Sequence, residues 1–161
     1  MREYIGKKFD SLHRSRELAL QFLFSLEINQ DQDFNTALEL FINNDELTHN
    51  DKPEVKERCK KLAYQVANRK NEIDSLLVRI ITGWRPERID IVDRTILRLM
   101  IFEGLIIKSL PVKSAMSEAK RLAESFGTKD SSRFISGVMF KASKFLEAEA
   151  LRELEATFEQ K

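Results

Sequence analysis

The chain has 161 residues, of which 42% are hydrophobic and 33% charged, and its formal net charge at pH 7 is +1. This length suits one domain with a buried core, and the composition excludes wholesale disorder. The single cysteine, Cys59, excludes an internal disulfide, and no apolar run approaches the ~20 residues of a membrane span, so we expect a cytoplasmic protein without a membrane partner.

Three helices are predicted in the first half of the chain. The first covers about Leu12–Ile28, where apolar residues occupy well over half of the helix circumference, which favours burial against several neighbours. A short second helix covers Asn35–Ile42, and a polar loop follows it. Pro53 can start the third helix, which we expect to run unbroken over 54–81 and to end at Gly83.

Three more helices are predicted in the second half. The fourth covers about 86–107 and is apolar on nearly every side, so we expect it to be the central helix. A fifth starts at Pro111, and Gly127 is expected to end it in a left-handed conformation. Asp130 or Ser131 can cap the sixth. The sequence therefore predicts an all-α fold, a compact bundle of helices with short connections.

Charge is segregated along the chain although the total is close to zero. Residues 27–54 carry a net charge of −7, and 56–70 and 108–144 each carry +5. Segregated charge can steer an anionic ligand towards a basic surface. The alternative is that the 56–70 block is simply the solvated face of a helix.

Residues suited to chemistry are few. His13 and His49 lie far apart and neither has metal-ligand spacing to Cys59. Phosphate-binding and nucleophile motifs are absent from the sequence. We therefore expect no enzyme activity, no metal and no cofactor. Trp84, between a glycine and a proline, either fills the junction of two helices or stacks on a base.

Four segments, in order, carry a resemblance to a known family: RSRELALQFLFSLE, RPERIDIVDRTILRLMIFE, LPVKSAMSEAKRLAESFG and KDSSRFISGVMFKASKF. Together they span about residues 14–145, and the combination resembles the NusB family of bacterial transcription antitermination and ribosomal-RNA synthesis factors. The resemblance implies an all-helical fold of two small three-helix halves. It also implies one RNA-binding domain over residues 1–146. The charged sequence that remains, 147–161, is predicted to be a helical extension.

The resemblance implies a function as well. Members of the family bind boxA, a single-stranded RNA element of nascent ribosomal-RNA transcripts, together with NusE, a ribosomal protein of the small subunit. The complex loads onto RNA polymerase and supports antitermination. Some members form homodimers. Asp93 matches a family acid on the NusE-facing side of the central helix.

Several RNA-binding residues follow from the same resemblance. Phe134 and Asp130 match an aromatic residue and an acid at the family's RNA-binding edge, and Lys113 matches a basic position near that edge. Lys129 and Arg133 lie beside Phe134 and would add phosphate contacts. The alternative for Phe134 is that its ring only completes the core.

Family members also carry a run of arginines ahead of the first helix, an arm that grips the RNA backbone. The matching stretch LHRSR supplies His13, Arg14 and Arg16, with Lys7 and Lys8 farther upstream. The thinner arm predicts modest RNA affinity for the chain alone, which NusE should strengthen. It also leaves open an alternative, a homodimeric protein–protein interaction module that has lost RNA binding.

Overall fold

The computed structural model describes residues 2–159 of the chain, with side chains from residue 6 to residue 159. Within that range it consists of helices and turns without a β-strand, which confirms the predicted all-α class. The helices form two compact units, one ending at Lys70 and the other beginning at Asn71. None of the helices in the described range is long and apolar enough to cross a membrane.

The first unit is built on the packing of α1 (Arg2–Ile28) against α4 (Pro53–Asn68), and α2 (Phe34–Ile42) contacts both. In α4 the buried apolar residues recur every three or four positions, so that helix buries one face, whereas α1 buries the consecutive residues Leu18, Ala19 and Leu20 and is therefore covered on more than one side. Burying each large apolar side chain stabilises the unit by about 1.5–3 kcal/mol. The core includes Leu18, Phe22, Val55, Leu62 and Val66.

A one-turn helix, α3 (Asp45–Thr48), lies in the stretch predicted as a loop. The side chain of Asn44 starts it by accepting the N–H of Glu46. The buried hydroxyl of Thr48 donates to the carbonyl oxygen of Ile42 at 2.8 Å. These bonds hold a polar segment in one conformation between α2 and α4, because short polar side chains can satisfy nearby backbone groups.

The prediction of one unbroken helix over 54–81 is wrong. The stretch forms two helices, α4 and α5 (Lys70–Ile80), and Arg69 separates them with φ −103° and ψ 12°. Val66 and Ile73 are both buried and lie seven residues apart, so the apolar pattern continues in phase through the break. Periodicity alone therefore does not reveal the break, which coincides with the boundary between the two units.

The second unit is built around α6 (Ile91–Ile101), which packs against α7 (Val112–Phe126) and α8 (Ser131–Glu159). α7 and α8 also pack against each other. Every residue from 95 to 105 is buried. The prediction that this helix is central is therefore confirmed for the second unit.

The ends of α6 differ from those predicted. The carboxylate of Asp90 accepts the N–H groups of Val92 and Asp93, so the helix starts several residues after the proline expected to open it. Pro86–Arg88 forms a separate 3₁₀ turn. At the other end the chain continues into a π-helical turn, Phe102–Ile106.

The expectation of a left-handed conformation at Gly127 is wrong. Its backbone is extended, with φ −89° and ψ −170°. A Cβ atom at this position would lie 2.8 Å from the carbonyl oxygen of Ala123 and would also collide with Ser131. Close approach of the chain, and not handedness, therefore requires glycine here. Gly83, in the turn after α5, does adopt a left-handed φ of 75°.

α8 runs without interruption past residue 146, the predicted end of the RNA-binding domain. Arg79 of α5 pairs with Glu149 and lies over the ring of Phe145, at 5.2 Å from its centroid. Residues 150–159 are exposed. Residues 160 and 161 of the predicted extension lie outside the described residues, and the division after residue 146 stays a prediction.

Candidate nucleic-acid interface

The edge predicted around Phe134 is formed by the first turn of α8 and the loop before it. Phe134 is 37% exposed, whereas the next residue, Ile135, is fully buried. Asp130 precedes the helix, and its carbonyl oxygen accepts the N–H of Phe134 at 3.1 Å. Lys129 and Arg133 are exposed. An accessible aromatic ring and two cations therefore share one helix start.

Ser131 fixes this helix start to the rest of the second unit. It is buried, and its hydroxyl accepts the N–H of Thr128 at 2.9 Å. The same hydroxyl is hydrogen-bonded to the carboxylate of Asp93 on α6. Phe134 therefore projects from a turn that is anchored to the central helix, which limits the conformational entropy lost when a ligand binds.

Asp93 itself is a buried acid without an arginine partner among the contacts described. Burial raises the pKa of its carboxyl, the nearby charge of Asp90 adds to the rise, and the bond from Ser131 acts in the opposite direction. Within residues 6–159, Oδ1 of Asp93 has no hydrogen-bond partner. A buried acceptor left without a donor costs about 1–3 kcal/mol, and a donor from a binding partner would remove that cost.

Lys113 lies apart from the Phe134 edge. It is exposed in the first turn of α7. The connection between α7 and α8 is short, so the two helices run antiparallel, and Phe126 lies at the end of α7 close to the start of α8. Lys113 is 13 residues before Phe126. At 1.5 Å per residue this places the two residues about 20 Å apart along the helix.

The side chains of the predicted arm are engaged in the first unit. Nε2 of His13 lies 3.1 Å from Oε1 of Glu17, and the histidine is buried. Arg16 is also buried. Lys7 and Lys8 are exposed. The two lysines therefore face solvent, whereas His13 and Arg16 do not.

Arg14 forms hydrogen bonds to the chain segment that precedes α4. Its Nε and Nη2 atoms donate to the two carboxylate oxygens of Asp51 at 2.9 and 3.0 Å. Nη2 also donates to the carbonyl oxygen of Leu47 at 3.2 Å, and Nη1 donates to Glu17 at 3.3 Å. The hydrogen bond to Asp51 is the largest cause that raises the pKa of Arg14. Two acids therefore balance the charge of this arginine.

A cleft of about 220 Å³ lies between the first turns of α1 and the start of α4. Among the described residues, its lining consists of Lys7, Lys8, Ser11, Lys52, Glu54 and Arg58. Lys52 and Arg58 are not among the predicted site residues. Arg58 belongs to the block 56–70, whose net positive charge is evident from the sequence. Lys52 is the one lysine or arginine of the block 27–54, whose net charge of −7 gives no sign of a cation.

Other residues singled out in the sequence lie away from any such surface. Trp84 is buried, so its ring cannot receive a base, which leaves the interpretation of a residue that fills a helix junction. Cys59 is fully buried, and burial raises the pKa of its thiol to about 12. Within the part of the chain that the structure describes, no three His, Cys, Asp or Glu side chains are placed to hold a metal ion.

Comparison with known sequences gives a clear match. The sequence profile of the NusB family matches residues 13–144. The transcription antitermination protein NusB of Desulfosudis oleivorans is 36% identical over 138 residues, which cover 84% of this chain and 87% of the relative. Lys7 and Lys8 precede the region matched by the profile.

Comparison with solved structures gives the same result. A structure of T. maritima NusB is similar with a TM-score of 0.72 and 28% identity, covering 82% of this chain and 89% of that one. A solved complex of the antitermination factors NusB and NusE with double-stranded RNA contains a chain that is 21% identical, with a TM-score of 0.71 and coverage of 84% and 97%. At that identity the likeness is one of fold.

Proposed function

Because the chain belongs to the NusB family, we propose that it is a transcription antitermination factor that binds boxA-type single-stranded RNA of ribosomal-RNA transcripts together with NusE. In this role it acts in the cytoplasm as part of the antitermination complex on RNA polymerase. RNA is held by contacts to bases and phosphates, without a chemical reaction at the site.

The exposed ring of Phe134 is the observation that carries this proposal. An aromatic side chain that is 37% exposed beside Lys129 and Arg133 offers a stacking surface with cations for the adjoining phosphates. Stacking of one unpaired base on such a ring is worth about 1–3 kcal/mol. Single-stranded RNA supplies unpaired bases, whereas an RNA duplex keeps them in its own stack.

Asp93 supports the proposed contact with NusE. Oδ1 of this carboxylate lacks a donor among the described residues, and the group is buried. A lysine, arginine or backbone N–H from NusE would satisfy it with a charge-assisted hydrogen bond. Since Ser131 links Asp93 to the start of α8, a partner bound at Asp93 would act on the turn that carries Phe134.

One observation favours the alternative, a homodimeric interaction module that has lost RNA binding. His13 pairs with Glu17, Arg14 is held by Asp51 and Glu17, and Arg16 is buried. Such side chains are poorly available as an RNA-gripping arm. In this alternative the chain would dimerise in solution and would not bind boxA RNA even with NusE present.

Fluorescence-anisotropy titration of a boxA-type RNA, with and without NusE and at several salt concentrations, tests the proposal. With about four phosphate contacts, we expect the logarithm of the association constant to fall with that of salt with a slope of about −3. NusE should tighten binding. Absence of RNA binding in the presence of NusE, together with a dimer by light scattering, would establish the alternative.

Phe134→Ala gives the residue-level test. Loss of one stacked base should weaken RNA binding by about 5- to 150-fold and leave the salt slope unchanged, because no phosphate contact is removed. Phe140→Ala is the matched control: this ring lies on the same helix and is 54% exposed, but points elsewhere, with Lys144 over it at 5.7 Å. Equal effects of the two substitutions would remove Phe134 from the RNA interface.

A further inference from the structure

We propose that Lys52 and Arg58 of the first unit bind an RNA phosphate, in the cleft that they form with Lys7 and Lys8, and that Arg14 builds this cleft. The inference rests on the proposed RNA binding and adds two residues to it. It also changes the role of Arg14 from an RNA contact to a positioning residue.

The lining of the cleft suits an anion. Among the described residues that line it, four cations face one acid, Glu54. The hydroxyl of Ser11 donates to the carbonyl oxygen of Lys7 at 2.9 Å, so the cations supply the donors for an anion. Within the described residues neither Lys52 nor Arg58 forms an ion pair or a side-chain hydrogen bond. A phosphodiester needs charge and hydrogen-bond donors, which lysine and arginine supply.

Arg14 fixes the chain segment that leads into α4 against α1. Its two hydrogen bonds to the carboxylate of Asp51, called the fork below, and its bond to the carbonyl oxygen of Leu47 attach the segment before α4 to α1. Lys52 follows Asp51 directly in the chain, so the fork also fixes the position of Lys52 beside α1. Since Asp51 already accepts from Arg14 through both oxygens, its charge is neutralised before a phosphate approaches.

A phosphate of RNA fits this cleft better than an acidic peptide. Among the described residues, the six that line it are charged or polar, without an apolar member. Protein interfaces draw most of their affinity from buried aromatic and apolar anchors, whereas contacts to a nucleic-acid backbone depend on charge. The phosphate contacts expected of an arginine arm are thus made in part by Lys52, the residue before α4, and by Arg58 of α4.

The test compares two double variants that remove the same charge from α4. Lys52→Gln/Arg58→Gln changes the cleft, and Lys56→Gln/Lys61→Gln changes two cations of the same helix that do not line it. Both variants are measured with boxA-type RNA and NusE present. For the cleft variant, the slope of the logarithm of the association constant against that of salt should become shallower by about 1.4, and binding should weaken about 20-fold at ~0.1 M salt. The control variant should weaken binding less than the cleft variant and leave the salt slope closer to that of the unaltered chain, since Lys56 and Lys61 do not line the cleft and would make no phosphate contact there.

The outcomes separate the inference from the proposed function. If the unaltered chain binds RNA and both double variants weaken it equally, the cleft is not a phosphate site, but the proposed function stands. If the unaltered chain does not bind RNA even with NusE, both proposals fail. Circular dichroism and thermal unfolding of each variant establish that the fold is retained.

Acetylation of lysines, read by mass spectrometry with and without the RNA, gives a second measurement on the unaltered chain. We expect RNA to slow acetylation of Lys8 and Lys52 several-fold and to leave Lys61 unchanged. Equal reactivity of Lys52 in both states, under conditions where the RNA is bound, would overturn the inference.

Discussion

Each unit of the chain contains an arginine that grips an aspartate through two parallel hydrogen bonds, but the surroundings of the two pairs differ. In the first unit Arg14 reaches Asp51 at 2.9 and 3.0 Å, and 32% of the arginine side chain is exposed. In the second unit Arg98 reaches Asp74 with both distances at 2.8 Å, and only 6% of its side chain is exposed.

The difference shows how one local geometry serves two purposes. Both aspartates are shielded, with 10% of the Asp51 side chain and 20% of the Asp74 side chain exposed, so the two arginines make the difference. A pair whose arginine is partly open to water contributes less to stability, but it can set the position of neighbouring side chains. A fork removed from water costs desolvation when it forms, and the loss of one partner leaves the other charge buried. We therefore expect changes at Arg14 to be seen mainly in ligand binding and changes at Arg98 mainly in stability.

The largest effect is expected for Arg98→Met. Removal of the guanidinium leaves the carboxylate of Asp74 without its fork, so unfolding in urea should show a loss of about 3 kcal/mol. Arg98→Met/Asp74→Leu, which removes both charges, should recover most of that loss. A single variant as stable as the unaltered chain would contradict the view that this pair supports the fold.

A smaller effect is expected for Arg14→Lys, which keeps the charge but loses the fork. Stability should fall by about 1 kcal/mol because the pair is partly exposed. RNA affinity, measured by anisotropy, should fall several-fold, since Lys52 is no longer held beside α1. If Arg14 instead contacted RNA directly as a cation, Arg14→Lys would keep the RNA affinity unchanged. That result would contradict the positioning role of Arg14.

The smallest effect is expected for Asp93→Asn, which tests an aspartate of the second unit that lacks a fork. Burial raises the pKa of the Asp93 carboxyl, so the folded chain binds the carboxyl proton more tightly than the unfolded chain does. The free energy of unfolding therefore falls as the pH rises above 3.8, the usual pKa of an aspartate, because the ionised group is disfavoured in the folded chain. The substitution should therefore add about 0.5 kcal/mol at neutral pH. The gain should disappear where the carboxyl is already protonated.

Urea unfolding at neutral and acid pH measures this effect. Asp74→Asn is the control and should destabilise the chain at neutral pH, because that aspartate has an arginine partner. A loss of stability for Asp93→Asn at neutral pH would contradict the assignment. Weaker binding of NusE by the same variant would support the proposed partner contact.

Helices with a strong apolar pattern could be predicted from the sequence, and the breaks between them could not. The central helix was recognisable because almost every position from Ile96 to Phe102 is apolar, and the structure buries all of them. The break at Arg69 lies between apolar positions that stay in phase, so no periodic signal marks it. Gly127 was expected from its residue type, but its conformation depends on Ala123 and Ser131, which only the packed chain brings close.

The candidate site was predictable where it depends on neighbours in the chain. Lys129, Arg133 and Phe134 lie together because they share one helix start. The engagement of Arg14 depends on Asp51, 37 positions away, and no local pattern pairs them. Lys52 and Arg58 meet Lys7 and Lys8 only through the packing of α4 on α1, so the cleft is a property of the fold.

The burial of Cys59 has a practical consequence for labelling. Burial raises the pKa of the Cys59 thiol to about 12, so little thiolate forms at neutral pH, and the side chain is fully enclosed. Maleimide dyes react with accessible thiolates, so they would pass over this residue. A cysteine introduced at an exposed position, for example Ser114→Cys on α7, would take the dye alone, and the native cysteine need not be replaced before fluorescence studies.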